Sequence, residues 1–317
     1  MAPMEIVYLD QNHWIELAKV HSGRVANGPL ADLYLELCAV VDRGAALFPL
    51  SASHIVETSK RNDQTSRENL ASTQARLSAG HVYRSRRGLL TREVRIALHR
   101  AFDLEAPPLL HYSAIAPGFL QAFEPFDASI STCENAAFLE RLNQWSSPSA
   151  QYLDFINNQD DHQRRLAHQM LGVVAEAAID EIQSRRIHLQ GQSIDVRRRV
   201  YAAIVFDAHQ ELFQAALREI GRSLSDLISL GDEALRMLIY DIPILNVETE
   251  LAIRIEGEFG VLSANDLFDV QAMYTSIPYS TLIIAEKATI SRARQAGLGK
   301  RYNVQLHTSL DSLRGRY

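Results

Sequence analysis

Short apolar runs rich in β-forming residues lie near both ends of the chain, and their placement constrains the fold more than any other feature. Two runs lie at 5–9 and 45–50, and two more lie at 282–285 and 304–306. Runs of this length are typical of buried strands in a parallel sheet. From residue 61 to residue 258 the apolar residues instead recur at helical spacing. We therefore predict an α/β fold whose parallel sheet takes strands from both chain ends.

The same pattern divides the chain into three segments. Residues 1–60 and 259–317 are predicted to form one three-layer sheet domain, and residues 61–258 (the middle segment) a large all-α insertion. An insertion at an exposed loop leaves the host sheet intact, so the two ends can still pair. Within the middle segment we expect two long helices, at about 150–188 and 194–221, packed as an antiparallel hairpin.

Composition and charge exclude several classes of protein. The formal net charge is −6, which excludes a globally basic nucleic-acid binder but not a local basic surface. Cys38 and Cys133 are the two cysteines, too few for a disulfide framework or a cysteine-based zinc site. The chain shows neither a signal-peptide pattern nor an apolar run of membrane-spanning length. We therefore expect a cytoplasmic protein with no membrane partner.

Acidic residues follow the predicted strands or lie on the helices beside them. Asp10 closes the first strand, Glu57 lies on the helix after the second, and Glu286 follows the strand at 282–285. Asp266 and Asp269 share one helix face. If the strands are parallel neighbours, these carboxylates meet at one edge of the sheet. An oxygen-rich cluster suits Mg²⁺ or Mn²⁺, and two such ions can activate water to hydrolyse a phosphodiester.

Several of these residues also have an ordinary structural explanation. Capping and the helix dipole are sufficient to explain Asp266, and Glu57 is commonplace as a solvated helical residue. Glu286 can form a surface ion pair. Asn12 has two roles that the sequence does not separate: the N-cap of a helix that begins just after it, or a group that orients a metal-bound water or a neighbouring carboxylate. The metal-site prediction therefore depends on the set of acids.

Four segments together resemble the PIN-like nucleases. In that family an Asp ends the first strand with an Asn two residues later, a Glu follows the second strand, and further acids lie on a late helix and after a late strand. Ala285 stands where Thr is common, and Glu286 replaces the usual Asp, so its role as fourth acid is open. The resembling segments are 7–14, 50–57, 265–272 and 278–287.

The resemblance implies a metal-dependent endonuclease, with RNA favoured over DNA because many family members cleave RNA. It also implies a bacterial toxin or an antiviral defence effector, with an antitoxin or defence-system partner protein. The spacing to the last acidic strand favours Asp269 over Asp266 as third acid. The catalytic residues it implies are Asp10, Glu57, Asp269 and Glu286. The implied ligands of Mg²⁺ or Mn²⁺ are Asp10, Glu57, Asp266 and Asp269, with Asn12 and Asn265 in supporting positions.

Arginine clusters in the middle segment are candidates for contact with phosphates, although such clusters are more often solvated faces paired with nearby acids. Arginine supplies 28 of the 32 basic residues of the chain. The candidates are Arg84, Arg86, Arg87, Arg164 and Arg165.

Two other functions remain open. One is a catalytically inactive PIN-like scaffold whose helical insertion mediates homo-oligomerisation or partner binding, which need not bind a metal. The other is a haloacid-dehalogenase-like phosphatase, whose pattern has a second Asp where this chain has Asn12. The sequence contains no Walker loop, dinucleotide-binding fingerprint or His-Glu-x-x-His motif.

Overall fold

The computed structural model describes residues 3–107, 113–130, 133–258 and 260–317. Its strands are β1 (Glu5–Leu9), β2 (Ala46–Leu47), β3 (His81–Tyr83), β4 (Ile115–Pro117), β5 (Leu282–Ile284) and β6 (Gln305–His307). Its α-helices are α1 (Gln11–His21), α2 (Pro29–Asp42), α3 (Ala52–Lys60), α4 (Gln64–Ser78), α5 (Arg86–Ala101), α6 (Cys133–Trp145), α7 (Pro148–Asn157), α8 (Asp161–His188), α9 (Ile194–Ala208), α10 (Gln210–Glu219), α11 (Leu224–Ser229), α12 (Gly231–Asp241), α13 (Pro243–Gly257), α14 (Ala264–Ser276), α15 (Lys287–Gln295) and α16 (Leu298–Arg301).

The main sheet has four parallel strands in the order β2-β1-β5-β6. Its central strand β1 pairs with β2 on one side and with β5 on the other, and β5 pairs with β6. The predicted α/β class with a parallel sheet is therefore confirmed. From β1 the chain continues to β2 at one edge of the sheet, and from β5 it continues to β6 at the opposite edge. The strand order therefore reverses between β1 and β5. Open α/β sheets bind ligands at such a switch point, beyond the carboxyl ends of the strands.

Alternating side chains of β1 place a separate apolar core on each face of the sheet. Val7 and Leu9 pack with Ile284 and with apolar residues of α1, α2, α4 and α7. Tyr8 and Ile283 pack on the opposite face with residues of α5, α10, α13, α14 and α15. The period of two in β1 and β5 dictates this division, because successive side chains of a strand point to opposite faces. Helices therefore cover both faces of the sheet.

The middle segment differs from the predicted all-α insertion. Its strands β3 and β4 pair antiparallel, and Val82 forms a parallel bridge with Leu50. These strands have three residues each, too few for a period of two to emerge from the sequence. Helices α4, α5, α7 and α13 share the cores that contain β1. Packing is therefore continuous across residues 60 and 258, and helices of the middle segment help to cover both faces of the main sheet.

The helices predicted at 150–188 and 194–221 are each interrupted. The first divides into α7 and α8, because Asn158 ends α7 and the side chain of Asp160 caps α8. The second divides into α9 and α10 at His209. Both α8 and α9 pack against α13. Helix α8 has 28 residues, and neither it nor any other helix in the described ranges is long and apolar enough to cross a lipid bilayer.

Candidate functional site

The carboxyl ends of β1 and β5 place Asp10 beside Glu286 at the switch point. The backbone N–H of Asp10 donates to the Ile284 carbonyl at 2.9 Å, and the N–H of Glu286 donates to Asp10 Oδ2 at 2.9 Å. Asp10 Oδ1 accepts from the N–H of Asn12 at 2.7 Å, which makes Asp10 the N-cap of α1. The carboxylate is buried and fixed by two backbone donors. Each oxygen keeps a second lone pair for another ligand.

Asn12 holds the neighbouring carboxylate of Glu286. Its side-chain amide donates to Glu286 Oε1 at 2.5 Å across a separation of 274 residues. Helix α1 begins at Gln11 and is capped by Asp10, so the N-cap alternative for Asn12 is wrong. The role that the structure supports is the orientation of a carboxylate by hydrogen bonding.

Replacing Asn12 with Asp tests this contact. Asn12→Asp replaces the donating amide with a second carboxylate beside that of Glu286, so the nucleic-acid cleavage that the resemblance implies is expected to fall about tenfold. The N-terminal dipole of α1 offsets part of the repulsion and keeps the unfolding free energy within about 1 kcal/mol of the parent. Asn12→Ala, which removes the hydrogen bond and adds no charge, is the control and is expected to lose less activity. Full activity in Asn12→Asp contradicts the assigned role.

Helices α3 and α14 pack against each other and carry the next two acids, Glu57 and Asp269. The start of α3 is fixed by a capping box. Ser51 Oγ accepts from the N–H of His54, and His54 Nδ1 accepts from the N–H of Ser51 at 3.0 Å. Glu57 and Asp269 are both partly buried.

Burial raises the pKa of Glu57 to about 7 and that of Asp269 to about 7. The second cause is negative charge: Asp10 and Glu286 raise the pKa of both groups, and Glu57 raises that of Asp269. Salt screens interactions between charges beyond about 8 Å, so the four acids share one electrostatic field. The structure pairs the carboxylate of Asp10 with the backbone of Glu286, and it places Glu57 and Asp269 on two helices that pack together.

The donor set of this region consists of carboxylate oxygens, the ligand type that Mg²⁺ and Mn²⁺ prefer. In the described part of the chain, however, no three His, Cys, Asp or Glu side chains are grouped closely enough to hold one ion. The four acids therefore share an electrostatic field without forming a single ligand sphere.

Capping accounts for Asp266, which the sequence placed among the metal ligands. Its Oδ2 accepts from Ser263 Oγ at 2.6 Å and from the Ser263 N–H at 2.9 Å. Ser263 Oγ accepts in return from the N–H of Asp266, which completes the capping box of α14. These hydrogen bonds lower the pKa of Asp266. Asn265 is exposed and lines a cavity of about 650 Å³ that also contains Glu57 in its wall.

The candidate phosphate-binding arginines separate into structural and exposed residues. Arg84 donates to Asp127 Oδ1 and Gln121 Oε1, each at 2.9 Å, and Arg86 forms an ion pair with Glu248. The donors of Arg84 are thus engaged within the protein, which argues against its predicted role, whereas Arg86 also lines the cavity of about 650 Å³ that contains Glu57. Arg87 and Arg165 are exposed.

Arg164 also has a structural role, at the end of α3. Its buried guanidinium donates to the carbonyls of Ser59 and Lys60 at 3.0 and 3.2 Å. It also donates to Asn62 Oδ1 at 3.2 Å and to Asp161 Oδ1 at 3.0 Å. The last carbonyls of a helix lack intrahelical partners, and Arg164 supplies partners from α8. The arginine therefore joins α8 to α3.

Loss of this junction is expected to destabilise the protein. Arg164→Ala leaves buried carbonyls without donors and should lower the unfolding free energy by about 2 kcal/mol. Arg165→Ala, one residue further along α8, removes an exposed guanidinium and should change it by less than about 0.5 kcal/mol. Urea titration followed by circular dichroism measures both variants. Equal stability of the two variants contradicts the structural role of Arg164.

A buried polar network behind the site was not predicted from the sequence. Gln11 Nε2 donates to Thr58 Oγ1 at 3.2 Å, and Thr58 Oγ1 donates to Gln74 Oε1 at 2.9 Å. Because Gln11 follows Asp10 and Thr58 follows Glu57, the network ties together the helices that position these two acids. The sequence signal is weak: polar residues at buried positions are recognisable only after the helices have been packed.

Comparisons of the chain with protein-family models, with curated proteins and with solved structures find no match. The functional assignment therefore depends on the geometry and chemistry of the site.

Proposed function

We propose that this chain is a metal-dependent endonuclease of the PIN-like type that hydrolyses phosphodiester bonds in RNA. The observation that carries the proposal is the meeting of Asp10 and Glu286 at the switch point of the sheet, in one electrostatic field with Glu57 and Asp269. Gathering partly buried acids costs free energy through desolvation and repulsion. Such an arrangement is typical of a functional site, and a cation relieves its cost.

Each acidic residue has a distinct role in this proposal. Asp10, Glu57 and Asp269 would hold Mg²⁺ or Mn²⁺, with Glu286 as a fourth carboxylate. Such ions, when bound, supply a water of lowered pKa and neutralise charge on the leaving oxygen. The backbone donors of Asn12 and Glu286 keep the Asp10 carboxylate in one orientation. The Asn12 amide restrains Glu286 at the exposed edge of the site.

A cleavage assay tests the proposal directly. Purified protein is incubated with labelled single-stranded RNA and DNA of the same sequence, with Mg²⁺, with Mn²⁺ and with EDTA. RNA cleavage that requires the metal and stops in EDTA supports the proposal. Cleavage of neither strand contradicts it, and cleavage of DNA alone corrects the substrate.

The proposal extends to a bacterial toxin or an antiviral effector held in check by a partner protein. Expression of the wild-type chain in bacteria is then expected to arrest growth, whereas the Asp10→Asn variant is expected to be harmless. Normal growth with active nuclease present contradicts this extension and leaves the nuclease proposal standing.

The inactive-scaffold alternative is favoured by one observation on α8. Leu166, Met170, Val173 and Val174 form an apolar stripe at helical spacing, and each is at least half exposed. Exposed apolar surface of this kind marks interaction sites. A protein that binds no divalent metal, cleaves nothing and forms oligomers in light scattering supports the scaffold.

A further inference from the structure

We infer that a basic groove between α3 and α8 binds the phosphate backbone of single-stranded nucleic acid and leads it to the acidic residues. This inference rests on the proposed nuclease function and adds the path of the substrate. The basic groove is lined by Lys60, Asn62, Arg164, Arg165, His168 and Gln169.

The lining of the basic groove is cationic. Its volume is about 410 Å³, and three of its six residues carry a permanent positive charge, whereas none carries a carboxylate. Phosphates are attracted to such a surface independently of base sequence, and a protein of negative net charge needs a local surface of this kind to bind them.

The basic groove adjoins a cavity that reaches Glu57. Lys60 and His168 line both the groove and the cavity of about 650 Å³ whose wall contains Glu57 and Asn265. Lys60 lies one helical turn after Glu57, so both residues share a face of α3. Its charge is close enough to lower the pKa of Glu57, against the larger effect of burial. A strand in the groove therefore has a direct route to Glu57.

Two cations of the groove are available to a ligand. Arg164 is engaged by α3, but Lys60 forms no ion pair with any residue in the described ranges. Arg165 reaches Asp161 only at 3.8 Å, and its side chain is 66% exposed. Burial, and then the charges of Lys60 and Arg164, lower the pKa of His168, so this residue is not counted among the cations of the groove.

The dimensions favour a single strand. A cavity of about 650 Å³ is in the size range of small-molecule sites. It has room for about one or two nucleotides of a single strand and is too small for a duplex. Glu57 lies in the wall of that cavity, so a strand that enters it comes close to this acid. Phosphate contacts in the groove position such a strand without reading its sequence.

The test is RNA binding in EDTA, where metal-dependent cleavage is suppressed. A fluorescent single-stranded RNA is titrated with protein in an anisotropy assay from 50 to 200 mM KCl (about the range over which salt dependence is pronounced). The Lys60→Ala/Arg165→Ala variant is expected to bind about tenfold more weakly, and the slope of log K against log salt should fall by about 1.4. The matched control, Lys300→Ala/Arg199→Ala, removes the same charge from exposed positions elsewhere and should bind within about twofold of wild type.

Equal affinities of the groove variant and its control overturn the inference, and so does tighter binding of a duplex than of a single strand. Equal binding of single-stranded DNA supports a groove that reads only the backbone. A wild-type chain that binds no RNA also overturns it. The nuclease proposal is judged separately, by metal-dependent cleavage. If RNA binding is weakened by the groove variant but the wild-type protein cleaves nothing, only the nuclease proposal is refuted. If the wild-type protein cleaves RNA but the groove variant binds RNA as tightly as wild type, only the groove inference is refuted.

Discussion

Replacing Asp10 with Asn is expected to lower RNA cleavage by about a thousandfold and leave the fold intact. The substitution removes the charge of the carboxylate at the switch point, and loss of a direct metal ligand exceeds the 10- to 100-fold effect typical of residues that support one. Asn remains a good N-cap for α1, although its amide cannot accept from both Asn12 and Glu286 as the carboxylate does. The rate is measured with labelled RNA at saturating Mn²⁺, and folding by circular dichroism.

The matched control is Asp63→Asn. Asp63 caps α4 in the same way, with Oδ1 accepting from the N–H of Ser66 at 2.7 Å, but it lies outside the acidic region. Its variant should retain full cleavage. Substantial activity in Asp10→Asn removes the nuclease proposal, whereas an equal loss in both variants shows that capping, not metal binding, is responsible.

Asp269→Asn is expected to abolish cleavage to a similar extent and yet stabilise the metal-free protein at pH 8. Burial, and then the charges of Glu57 and Asp10, raise the pKa of Asp269 from its ordinary 3.8 to about 7. Between these two values the folded state binds more protons than the unfolded state, so the free energy of unfolding falls as the pH rises. The neutral Asn does not carry this penalty, and its gain at pH 8 should be about 1–3 kcal/mol.

The gain should vanish near pH 4, where Asp269 is protonated in the folded state. Urea unfolding in EDTA at both pH values measures it. Asp266→Asn, three residues earlier on α14, is the control: it weakens the capping box and should cost about 0.5–1 kcal/mol while cleavage persists. A stabilisation of Asp269→Asn that is the same at pH 4 and pH 8 contradicts the repulsion argument. Addition of Mn²⁺ should stabilise the wild-type chain more than Asp269→Asn.

The sequence by itself determined the elements whose patterns are local. The apolar runs that predicted β1, β5 and β6 are short and continuous, and the parallel sheet they form follows from burial on both faces. The position of Asp10 directly after β1 was also readable, because a strand that ends in an acid places that acid at the carboxyl edge. The preference of helix starts for small hydroxyl residues predicts an N-cap at Ser51 or Ser53, and the structure selects Ser51.

Tertiary structure alone decided which residues meet. Asn12 finds Glu286 across 274 residues, and Arg164 finds the end of α3 only because α8 docks there. The sequence favoured Asp269 over Asp266 by spacing alone, and the structure adds that Ser263 engages Asp266, whereas burial and the charges of Glu57 and Asp10 raise the pKa of Asp269. A periodic pattern specifies which face of an element is apolar, but it does not specify the partner of a polar side chain. Those partners are set by how segments far apart in the chain pack together. The free energy of that packing depends on contacts between distant residues, so no short stretch of the sequence reveals it.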